Sequence, residues 1–65
     1  MKIYEKLSKY IDENGIKHNF ISKKTGIPEN ILSMILKGKR KLSVDEFVEI
    51  LVALNVDANT FINNN

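Results

Sequence analysis

Apolar residues return along this chain with a helical period and nowhere with the alternation of a strand. In 2–14 they fall at Ile3, Leu7, Tyr10 and Ile11, the i, i+4, i+7, i+8 spacing of an amphipathic helix. Gly15 follows as a stop. A second short helix is predicted over 18–25, with Phe20, Ile21 and Thr25 turned inward and Gly26 ending it. A third is predicted over 28–37, with Pro28 at its first helical position, Leu32, Ile35 and Leu36 apolar, and Gly38 as terminator. Ser43-Val44-Asp45-Glu46 has the form of a capping box. The fourth helix then runs to Leu54, with Val44, Phe47, Val48, Ile50, Leu51 and Leu54 apolar. A last turn covers roughly 58–62, capped by Asp57, and 63–65 reads as a frayed tail. The expected fold class is a compact all-α domain of five short helices spanning 1–62.

Length limits what such a chain can be. At 65 residues there is room for one core. Cysteine is absent and histidine occurs once, so disulfides, thiolate chemistry and a clustered metal site are not expected, nor is a cofactor. No apolar run approaches the roughly 20 residues of a membrane span, and the first residues lack the apolar stretch of a signal peptide. The expectation is a cytoplasmic binding module. An enzyme is not expected, since no nucleophile–base pair, usefully spaced carboxylate pair or phosphate-cradling loop is present.

Charge placement says more than the net +2. In 1–16 three lysines balance three acids. In 17–41 seven bases face Glu29 alone, a net of +6, and 42–65 holds four acids and no base. The basic middle suits a polyanion.

The stretch from His18 to Ile35 is where the pattern becomes specific. Two short helices meet at a glycine turn, with apolar residues before it (Ile21), just after it (Ile27) and on the second helix (Leu32, Ile35). That is helix-turn-helix spacing. Gly26 can take a positive φ, Ile27 plugs the turn, and small Ser22 lets the helices approach.

Together with Gly15-Ile16, Lys24-Thr25-Gly26-Ile27, Gly38-Lys39-Arg40 and the segment from Ser43 to Val56, this resembles the Cro/lambda-repressor (XRE-type) helix-turn-helix family from about Ile3 to Phe61. The resemblance implies a five-helix DNA-binding fold whose third helix enters the major groove. It implies a transcriptional regulator, by expectation a repressor, of bacterial or phage type, often acting as a dimer. Three features depart from the family pattern. A common Arg–Glu pair is replaced by Ile11 and Leu36, which are expected to touch. The Ser/Thr caps of helices two and three become Lys17 and Pro28. The exposed face of helix three, with Glu29, Asn30, Ile31, Ser33, Met34 and Lys37, contains no arginine.

Base-reading candidates are Glu29, Asn30, Ser33 and Met34. Asn30 suits adenine, Met34 or Ile31 a thymine methyl, and Glu29 a cytosine amino group. An A/T-leaning duplex is the expected partner. Glu29 has a second reading as a first-turn acid that stabilises its helix. Backbone candidates are Lys17, His18, Lys37, Lys39, Arg40 and Lys41. For Lys17 and His18 a solvated surface role stays open, and for 37–41 so does plain C-cap chemistry. Lys23 and Lys24 read as solubility charges. Val52, Phe61 and Ile62 form either an exposed apolar patch for a homodimer or ordinary core cover. The alternative function is a protein-interaction module, of anti-repressor or antitoxin-like kind, docking through Ile31 and Met34.

Overall fold

A computed structural model describes residues 1–62; the tail expected at 63–65 lies outside the described residues. It contains α1 (Ile3–Glu13), α2 (His18–Thr25), α3 (Glu29–Leu36), α4 (Val44–Leu54) and α5 (Asn59–Ile62), with no strand among the described residues. α1 packs on α3 and α5, and α2 packs on α3 and α4. Each helix gives the core one narrow stripe. Leu7 and Ile11 come from α1, Ile21 from α2, Leu32, Ile35 and Leu36 from α3, Ile50 and Leu51 from α4, and Phe61 from α5. Ile27 seals the turn between α2 and α3, also buried. Ile11 and Leu36 are both buried in this cluster, so hydrocarbon fills the place where the resemblance leads one to expect an ion pair. Replacing a buried pair on both sides at once leaves no unpaired charge.

Phe61 closes the core. Its ring meets Tyr10 edge-on at 5.4 Å and Phe47 at 6.4 Å between centroids. Such edge-to-face pairs add to the area they bury. The Lys6 ammonium donates to the Phe61 carbonyl at 2.9 Å, which ties α5 to α1 across the length of the chain.

The helix ends are where sequence and structure differ in detail. Pro28 is the N-cap of α3, with an extended ψ of 145°, and not its first helical residue. Helix bounds otherwise shorten by a residue or so, as 2–14 becomes Ile3–Glu13 and 28–37 becomes Glu29–Leu36. Neither Lys17 nor Pro28 makes a side-chain cap bond. α4 has the full reciprocal capping box, Ser43 Oγ accepting from the Glu46 amide at 3.1 Å and Glu46 Oε1 from the Ser43 amide at 3.0 Å. Asp57 Oδ1 accepts from the Asn59 amide at 2.9 Å.

α3 ends in a Schellman turn: the Lys39 amide reaches the Met34 carbonyl and the Gly38 amide the Ile35 carbonyl. Gly38 sits in the left-handed region at φ 75°. The Tyr4 side chain lies so close that a Cβ on Gly38 would overlap its Cζ, Cε1 and Oη.

One apolar expectation fails, and one left open is decided. Phe20 is 45% exposed, not inward, and the Lys24 ammonium stands 5.7 Å from its ring centre. With Ile21 already facing the core, Phe20 is carried about 100° around α2 and out of it. Phe61 is 2% exposed and belongs to the core. The patch expected from Val52, Phe61 and Ile62 therefore keeps only Val52 and Ile62 at the surface.

Candidate nucleic-acid interface

The turn between α2 and α3 is held by its own side chains. Gly26 takes φ 81° and its amide donates to the Ser22 carbonyl. Ser22 Oγ donates to the Ile27 carbonyl at 2.6 Å, so the small residue expected to allow close approach also ties the turn. Thr25 Oγ1 donates to the Ile21 carbonyl at 2.8 Å and accepts from the Ile27 amide at 3.1 Å, which makes Thr25 a turn residue more than a core one. Ser22 Oγ, Thr25 Oγ1 and the Gly26 and Ile27 amides are thus partnered locally, with no charged group among these bonds. Ser22→Ala should lower stability by about 1 kcal/mol, since it leaves a part-buried carbonyl without its donor. Urea denaturation decides this, and a change inside ~0.3 kcal/mol would show that the bond adds nothing net.

With Leu32, Ile35 and Leu36 buried, α3 turns Glu29, Asn30, Met34 and the following Lys37 to solvent, while Ser33 and Ile31 are half-buried. Ile31 packs against the core. The exposed apolar area of α3 therefore reduces to Met34, at 40% exposure. Glu29 is not isolated. Asn19 Nδ2, one residue into α2, donates to its Oε2 at a long 3.4 Å. Asn19 had no claim from sequence; only the crossing of α2 and α3 brings it to the start of α3.

The backbone candidates separate into two groups. Lys17 caps α2 and is exposed, with half-buried His18 beside it. Lys37, Gly38, Lys39, Arg40 and Lys41 lie on the turn and loop between α3 and α4, with Lys37, Lys39 and Lys41 exposed. Arg40 differs from its neighbours. Its Nη1 donates to both carboxylate oxygens of Glu46, at 3.0 and 2.9 Å, and to the Lys41 carbonyl at 3.3 Å. The capping glutamate of α4 is thereby also the anchor of the basic loop. Sequence gave Glu46 only its capping role, because a pairing across an irregular loop has no period to reveal it.

The Glu46 carboxyl is held down to about 2 from an ordinary 4.5, first by the Arg40 hydrogen bond, then by the Ser43 amide, against a smaller upward push from burial. The folded protein therefore binds this proton less tightly than the unfolded chain. The stabilisation is complete above about pH 4.5 and fades as pH falls toward about 2. Arg40→Gln should flatten that acid limb. Melting curves collected from about pH 5 to 2 test it, and parallel losses in wild type and variant would remove Arg40 as the cause.

No helix of the described residues is long and apolar enough to cross a membrane, and no group of His, Cys, Asp or Glu side chains among them could hold a metal ion. In comparisons with known proteins, the family model described as Helix-turn-helix matches residues 7–61. No curated protein and no solved structure matches the chain. That family is one of DNA-binding domains of transcription-regulator type. With the match extending over most of its length, the chain belongs to the helix-turn-helix family of the Cro/lambda-repressor (XRE) type.

Proposed function

We propose that the protein is a sequence-specific reader of double-stranded DNA, working in the cytoplasm as a transcriptional repressor of bacterial or phage type, with residues 1–62 as one helix-turn-helix domain. The observation that carries this is the continuity of one surface. The outward face of α3 runs straight into the exposed lysines of the loop after it. Lys37, Lys39 and Lys41 grip phosphates and fix register, with Lys17 and His18 doing so at the start of α2. Arg40 shares its charge between Glu46 and the backbone. Asn30 reads adenine, Met34 packs on a thymine methyl, and Ser33 takes either a base edge or a phosphate. Glu29, steadied by Asn19, accepts from a cytosine amino group. With no arginine on α3 to read guanine, the site leans to A·T.

Selection of bound duplexes from a random pool at about 0.1 M salt tests the reading, because loose phosphate binding is partly screened there. The expected result is an enriched A/T-leaning site. A palindrome with half-sites about 34–36 Å apart would make the active species a homodimer. Burial of Phe61 leaves that dimer only Val52 and Ile62 of the patch first expected. Asn30→Ala should relax one position of the site by about 1–3 kcal/mol while leaving its other positions alone. An unchanged preference would remove Asn30 as a base reader. No enrichment from a protein folded by circular dichroism would overturn the DNA reading. Docking of a protein on α3 is the weaker alternative, since Ile31 is engaged with the core and only Met34 remains to anchor a partner.

A further inference from the structure

α4 carries two apolar faces, and the core uses only one. Ile50 and Leu51 are buried, with Phe47 and Leu54 packed beside them. Val44, Val48 and Val52 stand apart from these at i, i+4 and i+8, in line over about 12 Å of helix. They are 78%, 51% and 74% exposed. Valine is a costly residue for a solvent-facing helix position, because its branched β-carbon loses rotamer freedom there. One exposed valine needs no explanation, but a line of three forms a contiguous apolar strip. Asp45 and Glu49 each follow one of these valines, so acids run along one edge of the strip. From Leu42 to the end of the chain there is no lysine or arginine. At the N-terminal end of the strip, Val44 also lines an open groove of about 370 Å³ with Ile3, Leu42 and Phe47.

We infer that this face of α4 docks an amphipathic basic helix of another protein. Its apolar residues lie on Val44, Val48 and Val52, and its Lys or Arg residues stand over Asp45 and Glu49. Helices recognised in this way present anchors at i, i+3 or i+4 and i+7, and the groove beside Val44 accepts the largest of them. Lys2 and Lys41 also line that groove, so the partner's bases belong along Asp45 and Glu49 and not at the groove. Charge also selects against a second copy of the chain. Two α4 faces set against each other would bring Asp45 and Glu49 of both copies to one seam with no base on either helix to offset them. None of the three valines is assigned to a base or a phosphate, but Val52 belongs also to the homodimer patch of the DNA reading, so a homodimer built on Val52 and a docked helix exclude each other.

The test uses ¹⁵N-labelled protein and two synthetic helical peptides of one leucine pattern, one flanked by Lys and the other by Glu. The Lys peptide should shift the amide resonances of 44–52 saturably, with affinity falling as salt rises. The Glu peptide should leave them in place. Val48→Gln with Val52→Gln, both at exposed positions and checked for folding by circular dichroism, should weaken the Lys peptide about ten-fold or more. Equal effects from the two peptides, shifts mapping away from α4, or no shift up to about 1 mM Lys peptide would overturn the inference. So would a dimer of the protein alone, seen by sedimentation equilibrium, that the double variant abolishes.

Discussion

Gly38→Ala should destabilise the protein by about 2–5 kcal/mol, out of a total of about 3–10 kcal/mol for a domain this size. Two costs combine. Holding an alanine in the left-handed region costs roughly 1–2 kcal/mol, and Gly38 is there at φ 75°. The added methyl would also overlap the Cζ and Oη end of Tyr4, and overpacking of this kind costs roughly 1–3 kcal/mol. In thermal denaturation the midpoint should fall by roughly 8 °C or more, at about 4–8 °C per kcal/mol. Gly26→Ala is the matched control. It has the same sign of φ, at 81°, but a Cβ there meets nothing within 4 Å. It should show the backbone cost alone. If the two variants melt within a few degrees of each other, Tyr4 steps aside freely and the ring is no constraint. If Gly38→Ala is much the worse, adding Tyr4→Ala should recover the steric part of the loss and not the backbone part.

Replacing Lys37, Lys39 and Lys41 together by Gln should weaken duplex binding by two to three orders of magnitude at about 0.1 M salt. Each phosphate contact releases about 0.9 counterion, so losing three lowers the slope of log K against log salt by roughly 2.7. The loss should be nearly the same for the selected site and for unrelated duplex, because phosphates carry no sequence. All three side chains are exposed, so the fold should survive their neutralisation. Fluorescence anisotropy over a salt series measures both quantities. An unchanged slope would mean that these lysines offset the carboxyl end of α3 and do not meet the backbone of DNA. A loss confined to the selected site would assign them to base readout instead. Arg40 is left out of the set because Glu46 holds it, and its removal would disturb the α4 cap as well.

Much of this was legible from residue order, and the reasons are local. The helices follow from their apolar period. Their ends follow from Gly15, Gly26, Gly38 and the Ser43–Glu46 box, each of which acts within four or five residues. The helix-turn-helix spacing of Ile21, Ile27, Leu32 and Ile35 falls in the core as read. What escaped depends on contacts across the fold. Phe20 has the residue type of a core position, but Ile21 fixes the rotation of α2 and carries Phe20 outward. For Phe61 residue order leaves core and surface both open, and the fold decides it, since Tyr10 and Phe47 receive its ring between them. Arg40 reads by sequence as one of a run of bases, and its pairing with a glutamate six residues on shows only in the fold. Asn19 meets Glu29 only because α2 and α3 cross. The outward side of α4 read as one apolar stripe with its inward side, because eight apolar residues in eleven hide two faces of different exposure.

The placement of Phe61 has a consequence for synthesis. The ring that closes the core lies fifty-five residues beyond the lysine that holds its carbonyl. A chain emerging from the ribosome, N-terminus first at about 5–20 residues per second, therefore presents α1 to α4 long enough for local helices to form and re-form many times. Throughout that interval Tyr10 and Phe47 have no aromatic neighbour between them. The last cooperative step waits for residue 61 to clear the exit tunnel, so a nascent chain arrested short of that point should stay sensitive to protease while the released chain becomes resistant.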